Sequence, residues 1–355
     1  MSLDDLRKRI DEIDARIVEL IGERVKVAEA IGLGKKEQNK LIEDRERELR
    51  VLKHVRAIAR DENVSPSDME NIYRYIIDVC KKIQAVAVAF QGEPGAYTEE
   101  AAFRFFGKST ESRSYESLDE VFEAVEVGDV PFAVVPVENS LEGSITRAYD
   151  LLLDSPLMIC GEIELRISHC LIARAGAGLD AIKKVYSHPQ ALAQCRSFLS
   201  HLNCELIPES DTAGSVRMIK EQGLKDSAAV ASARAAEIYG MKIIAREIED
   251  NPHNFTRFFI LSKEDSPPTG NDKTSIVFSL KHKPGALYDC LKEFASSNVN
   301  LTKLESRPTR HQPWEYNFYM DFAGHHQEKD IGEALKALEE HAVFVKILGS
   351  YPKAR

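Results

Sequence analysis

Arg24 stands in the middle of an apolar stripe. Leu6, Ile10, Ile13, Ile17, Leu20, Arg24, Val27 and Ile31 recur at steps of three and four, so they share one face of a helix. A guanidinium in such a stripe must reach water or meet a buried anion, because an unpaired buried charge is costly. Lys35 follows eleven residues later and returns to nearly the same face. Arg7 sits roughly 100° round the helix from Arg24, better placed to serve a neighbouring chain's site than its own. Asp44, Arg47 and Glu48 share a face of a second helix, and Gln84 closes a stripe of Tyr73, Ile77 and Cys80 on a third. Taken singly, each is an ordinary solvated side chain or surface pair. Together they describe a helical cavity with cations and one neutral donor, suited to an anionic small molecule.

A second set lies at the carboxyl ends of apolar runs. Phe132–Val137 leads into Glu138-Asn139-Ser140-Leu141-Glu142-Gly143-Ser144, and Val185-Tyr186 into Ser187-His188-Pro189-Gln190. Ala229-Val230-Ala231 leads into Ser232, and Asp211-Thr212-Ala213 opens a helix. In open α/β sheets ligands bind at these strand ends. Each motif alone is a cap or turn; together they line an anion-binding cleft with hydroxyls and helix N-termini. The polar loop Asp250-Asn251-Pro252-His253-Asn254-Phe255-Thr256 enters a strand over Arg257–Leu261.

The elements that position these groups fall into three blocks. Residues 1–85 read as three helices, from about Leu3 to Lys36, Asp44 to Asp61 and Ser65 to Gln84. The first spans roughly 45–50 Å and cannot bury its stripe in so small a domain, which calls for a partner chain. Residues 86–262 alternate strands (Phe132–Val137, Val185–Ser187, Ala228–Ala231, Ile243–Ala245) with helices, an α/β block with largely parallel sheet. Ser117-Leu118-Asp119-Glu120 is a capping box. A Pro/Gly-rich linker, 263–272, precedes residues 273–355, whose order is βαββαβ, the ferredoxin-like α+β unit.

Composition bounds the function. The chain of 355 residues is long enough for two or three domains, and its 43% hydrophobic and 29% charged content is that of a globular protein. A net charge of −10 speaks against nucleic acid as partner. No apolar run is long enough to span a membrane, and the first residues lack signal character. Six scattered cysteines without a CxxC pair read as reduced thiols of a cytoplasmic protein.

The helical block resembles the all-helical chorismate mutases through Leu6–Asp14, Glu23-Arg24, Ile31-Gly32-Leu33-Gly34-Lys35, Asp44–Glu48 and Gln84. The resemblance implies a helix-sharing dimer. Arg7 (in the partner's site), Arg24 and Arg47 would hold the two carboxylates of chorismate, and Lys35 and Gln84 would donate to its ether oxygen. Glu48 would accept from its ring hydroxyl, Asp44 matches a binding position, and Cys80 replaces the serine of some relatives. A Claisen rearrangement needs no nucleophile. It needs a held near-attack conformer and donors at the oxygen that gains charge, and Arg suits bidentate carboxylate binding.

The middle block resembles the prephenate dehydratases through Gly92–Tyr97, Val135–Ser144, Tyr186–Leu192 and Asn254–Phe258, with Glu93 and Asp211 as departures. The resemblance implies a two-lobed fold like that of periplasmic binding proteins, with Thr256 assisting loss of the ring hydroxyl, Arg257 binding a carboxylate, and Asn139, Ser140, Glu142, Ser187 and Thr212 in contact with prephenate. The last block resembles ACT regulatory domains through Lys283-Pro284-Gly285-Ala286-Leu287 and Glu305-Ser306-Arg307-Pro308, with Tyr288 as a departure. That implies a phenylalanine site at Gly285, Ala286, Leu287, Glu305, Ser306, Arg307 and Pro308. The expectation is a cytoplasmic, at least dimeric enzyme of phenylalanine biosynthesis, acting on chorismate and prephenate without metal or organic cofactor and inhibited by L-phenylalanine. The alternatives are a catalytically silent, amino-acid-responsive binding protein, or a chain in which one of the two sites works.

Overall fold

The computed structural model describes residues 2–37, 45–83, 86–309 and 315–354, and omits the side chains of residues 29–37, 45–46, 78 and 81–83. The first block is three helices, α1 (Leu3–Glu37), α2 (Arg45–Asp61) and α3 (Pro66–Ile83). Helix α1 opens on a reciprocal cap: Ser2 N donates to Asp5 Oδ2 (2.8 Å) and Asp5 N to Ser2 Oγ (3.1 Å). Helices α2 and α3 pack through Leu52, Val55, Ala59 and Ile77. Glu70, buried on α3, is held by Arg56 and by Arg74 at 2.6 Å. The stripe of α1 stays open in the single chain, with Ile10 57% and Ile17 49% exposed.

The middle block runs β1 (Ala87–Gln91), α4 (Tyr97–Phe106), β2 (Glu111–Tyr115), α5 (Leu118–Val127), β3 (Phe132–Asn139), β4 (Gly143–Ser144), α6 (Thr146–Asp154) and β5 (Met158–Arg166). The chain then crosses to β6 (Cys170–Ala173), β7 (Lys184–Ser187), α7 (Pro189–Gln194), α8 (Arg196–Ser200), β8 (Glu205–Pro208), α9 (Thr212–Gln222), β9 (Ser227–Ala231), α10 (Ala233–Tyr239) and β10 (Lys242–Ala245), and returns as β11 (Phe255–Ser262). The strands form two sheets, β2-β1-β3-β11-β5, with β4 on β3, and β10-β6-β9-β7-β8. The expected largely parallel sheet is therefore two mixed sheets. The returning β11 runs antiparallel to both β3 and β5, and β6 runs antiparallel to β9 and β10. A chain that enters the second sheet and comes back must reverse direction, and no local sequence period reports this.

The last block is β12 (Asp272–Leu280), α11 (Ala286–Ser296), β13 (Leu301–Pro308), β14 (Tyr316–Ala323), α12 (Lys329–His341) and β15 (Ala342–Pro352), an antiparallel sheet in the order β13-β14-β12-β15. Both faces of this sheet are covered. Ile276, Phe278, Met320 and Phe322 pack on α11 and α12. Val277, Tyr319, Leu348 and Tyr351 join the core of the first sheet's lobe, where Tyr319 meets Tyr149 with ring centroids 4.9 Å apart. Lys346 Nζ reaches across to the carbonyls of Leu152, Leu153 and Ser155 at 2.6–3.0 Å and satisfies the end of α6.

At Gly349 the last block lies backbone on backbone against β5 of the middle block. A Cβ at Gly349 would lie 2.2 Å from Ile159 O. Gly349→Ala should destabilise the protein by about 1–3 kcal/mol or more, as overpacking does. Thermal melting measures this, and a variant as stable as wild type would show that the two strands are free to separate.

Candidate active sites

In the helical block, Arg24 resolves the question its position raises. It is half-buried, and its Nη1 donates to Cys80 Sγ at 2.8 Å across α1 and α3. Among the described residues, the partner it meets is a soft sulfur acceptor. Arg7 is exposed and lies 3.5 Å from Asp4. Arg47 is exposed and Glu48 half-buried on α2. Lys35 belongs to α1, but its side chain, with Asp44 and Gln84, lies outside the described residues.

The cleft of the middle block, a cavity of about 280 Å³, gathers Asn139, Glu142 and Ser144 beside Thr256. Its other polar lining includes His169, Gln190, Gln194 and Thr212. No Lys or Arg lines it among the described residues. What it offers an anion is the hydroxyls of Thr98 and Thr212, each in the first turn of a helix (α4 and α9), where the helix dipole is positive. Asp211 caps α9 through Gly214 N. Burial pushes its carboxyl above the usual carboxylate range, against the Gly214 and Ala213 N–H groups, which pull it down.

A directional hydrogen-bond chain runs along the cleft floor. Asn139 Oδ1 accepts the backbone N–H groups of Leu141 (3.0 Å) and Glu142 (3.1 Å). Because amide N–H groups only donate, this fixes which end of the Asn139 amide is oxygen. Its Nδ2 therefore donates to Asn254 Oδ1 (2.7 Å) and Thr256 Oγ1 (3.0 Å). Asn254 Nδ2 then donates to Gln194 Oε1 (2.9 Å), and the same oxygen lies 3.0 Å from His169 Nε2, which must carry a hydrogen. His169 Nδ1 lies 2.9 Å from the oxygen of Tyr97 OH, which donates to Ser168 O at 2.8 Å. Burial pushes the His169 pKa down, against the Gln194 contact and the Glu249 carboxylate, which favours the neutral ring. Thr256 Oγ1 accepts from Asn139 and keeps its own proton to give to something in the cleft. His169 and Asn254 lie in the two crossover segments between the sheets, so the chain is assembled where the lobes join.

Three expected cleft residues lie elsewhere. Thr256 belongs to β11, not to the loop before it, so strand alternation turns Arg257 to the opposite face. There Arg257, its side chain 10% exposed, donates to Glu162 (2.8 Å), Asp321 (2.7 Å) and Tyr351 (3.0 Å). Burial opposes its charge, and the Tyr351 oxygen and the Asp321 and Glu162 carboxylates restore it. Ser187 is fully buried, and its hydroxyl is spent on Val230 O at 2.6 Å. Ser140 is exposed and staples the loop, donating to His253 O (3.1 Å) and accepting from Phe255 N (2.9 Å). His169 and Gln194 were not anticipated. The available signal was Gln194 at i+4 from Gln190 on one helix, and a histidine directly before the buried run of β6.

In the last block, a cavity of about 200 Å³ is lined by Ala286 and Leu287 at the start of α11, with apolar Leu280 and Phe318 and charged Lys281, Lys283 and Glu315. Gly285 is the N-cap of α11, at φ +84°. The Glu305–Pro308 segment does not line this cavity. On β13 the alternation sends Glu305 and Arg307 towards the middle block and leaves Ser306 and Pro308 exposed. Glu305 accepts from Ser144 Oγ of the cleft wall and pairs with Arg307 at 3.2 Å.

Comparison with known proteins agrees with this layout. A family model described as chorismate mutase type II matches residues 6–85, one described as prephenate dehydratase matches 88–266, and one described as ACT domain matches 274–340. A bifunctional chorismate mutase/prephenate dehydratase of Stutzerimonas stutzeri is 41% identical over 360 residues, covering 98% of this chain and 97% of that protein. Among solved structures, a prephenate dehydratase of Arthrobacter aurescens in complex with L-Phe is 34% identical with a TM-score of 0.70, covering 76% of this chain and 90% of that one. A protein described as GqqA, a novel type of quorum quenching acylase, is 36% identical with a TM-score of 0.70, covering 75% and 97%. With both catalytic blocks and the ACT domain matched in order over almost the whole chain, this protein belongs to the bifunctional chorismate mutase/prephenate dehydratase family.

Proposed function

We propose that the two activities reside in separate sites, with residues 1–85 as the mutase domain, 86–262 as the dehydratase domain and, after a linker over 263–272, residues 273–355 as a ferredoxin-like ACT domain. Chorismate is rearranged in the helical block, which works as a helix-sharing dimer. The open Leu6–Val27 stripe of α1 supports that assembly, since a partner helix would bury it. Arg24, Arg47 and the partner copy's equivalent of Arg7 take the carboxylates. Lys35 and Gln84 donate to the ether oxygen, Glu48 accepts from the ring hydroxyl, and Asp44 belongs to the binding set. Cys80 holds the Arg24 guanidinium half-buried and aimed until a carboxylate displaces the weaker sulfur contact.

Prephenate then enters the two-lobed, periplasmic-binding-protein-like middle block. The observation that carries this step is the polarity of the Asn139 chain, which leaves the Thr256 proton available. As the ring carboxylate leaves as carbon dioxide, its bonding electrons move into the ring and expel the hydroxyl, and the ring becomes aromatic. Thr256 hydrogen-bonds the departing oxygen. Its ordinary acidity is too weak for full proton transfer, so its work is charge stabilisation. The helix starts at Thr98 and Thr212 hold the carboxylates. Feedback by L-phenylalanine acts at the cavity of the last block, where Leu280, Leu287 and Phe318 suit an aromatic ring, and Lys281, Lys283, Glu315 and the α11 N-terminus suit an amino acid's charges. A cytoplasmic location is supported by six cysteines that are all free thiols and by the lack of any described helix long and apolar enough to cross a membrane.

Thr256→Ala should lower prephenate turnover by about a hundredfold or more, the usual loss for one positioned donor, and leave chorismate turnover intact. Arg24→Ala should do the reverse. Product analysis with each substrate distinguishes them, and loss of both activities in either folded variant would contradict two separate sites. Glu315→Gln should raise the phenylalanine concentration for half inhibition about tenfold without changing uninhibited turnover; an unchanged inhibition curve would place the effector elsewhere.

The neutral His169 predicts a pH effect on stability. Its pKa is lower folded than unfolded. As pH falls below about 6.5 the unfolded chain takes up the proton first, so stability is lost in that window. His169→Gln should lose less melting temperature between about pH 7 and 5 than wild type. Parallel pH profiles would show that the ring is not held neutral.

A further inference from the structure

Thr256 and Arg257 are consecutive on β11, and Asn139 and Glu138 are consecutive on β3. The strand register pairs Thr256 with Asn139 and Arg257 with Glu138. The pair that faces the cleft therefore has a charged pair directly behind it, with Arg257 Nη1 3.7 Å from Glu138 Oε2. That back pair is gripped from the ACT domain. Asp321 Oδ2 on β14 takes Arg257 Nη1 at 2.7 Å, and Lys303 Nζ on β13 takes Glu138 Oε2 at 2.9 Å. Lys303 also donates to Ser144 Oγ at 2.9 Å, and Ser144 lines the cleft. The Lys303 side chain is 10% exposed and its ammonium lies 4.9 Å from the centre of the Tyr149 ring, so it is held on several sides.

We propose that Lys303 and Asp321 are positioning residues for the dehydratase, supplied by the ACT domain, that fix β3 against β11 behind Asn139 and Thr256 and so hold the Thr256 hydroxyl in reach of the departing oxygen. The proposal rests on the reading of this cleft as the prephenate site. Neither residue touches substrate; each acts through the residue next to a cleft residue. A displacement of either strand changes the Asn139–Thr256 hydrogen bond, and small misplacements at a reacting centre cost large rate factors. The anchors come from two different strands of one sheet, so they move together or not at all. The dehydratase site is, in this sense, completed from outside its own domain.

The test uses the full chain below its melting transition, with the thermal melt of each variant reporting whether the dehydratase and ACT blocks are folded and the mutase activity serving as an internal reference. Lys303→Met, which keeps the length of the side chain and removes its charge, is expected to lower kcat for prephenate about tenfold with KM changed less than twofold, while chorismate turnover stays at the wild-type value. Asp321→Asn should give the same pattern, and Lys303→Arg should recover most of the loss. A lowered melting temperature with unchanged kcat below the melting transition would overturn the proposal, since the contacts would then only join the domains. Equal loss of kcat in Lys303→Arg and Lys303→Met would overturn it as well. A wild-type chain that converts chorismate but leaves prephenate untouched would overturn the reading of the cleft itself, an outcome distinct from either.

Discussion

A buried guanidinium has to be neutralised where it stands. The Arg257 side chain is nine-tenths buried, and its three nitrogens donate to Glu162 on β5 and to Asp321 and Tyr351 across the domain boundary. The donors and acceptors close a ring without conflict. Arg257 donates to Tyr351 and Asp321, Ser275 donates to the other Asp321 oxygen at 2.6 Å, and Tyr351 can then donate to Ser275. Lys273 balances Glu162 at 2.9 Å. Removing a charged member, such as Asp321 or Glu162, would leave a buried charge short of its partner, at a cost of about 3–5 kcal/mol. That constraint ties the ACT sheet to the strand that carries Thr256.

The cleft obeys a second constraint, of direction rather than charge. Two backbone N–H groups decide which end of Asn139 is oxygen, and each later amide or imidazole has then one workable orientation. The chain ends on a threonine with a proton to donate and on a histidine that burial keeps neutral. Its members come from β3, α7, β11 and the crossovers, so it exists only when both lobes are in place. The absence of lysine and arginine from the described lining fits this design. The first turns of α4 and α9, at Thr98 and Thr212, border the cleft instead, and they carry the positive end of a helix dipole without a mobile charged side chain.

Much of this was legible in one dimension. The apolar stripe of α1, its interruption at Arg24, the polar strand ends and the βαββαβ order follow from periodicity and short motifs, as does the position of the capping box at Ser117, where Glu120 N donates to Ser117 Oγ and Glu116 N to Glu120 Oε2. Arg257, expected to bind a substrate carboxylate, lies on the face behind the cleft for a definite reason. Starting the strand at Arg257 instead of Phe255 left Thr256 in a loop, and only a strand that includes both residues forces them to opposite faces. Ser187 and Ser140 sit at strand ends as expected, yet local backbone groups claim their hydroxyls.

By itself the sequence determined the elements, their order, the three-block division and the residues able to handle anions, because these depend on side-chain type and on periods of two and 3.6 residues. Tertiary structure decided which of those residues meet. The reversal at β11, the two mixed sheets, the His169–Gln194–Asn254–Asn139 chain and the grip of Asp321 and Lys303 join residues 25 to 165 positions apart. Such pairings are set by the packing of one sheet on another and by the need to leave no buried charge or donor unmatched, and neither leaves a mark on a local stretch of chain.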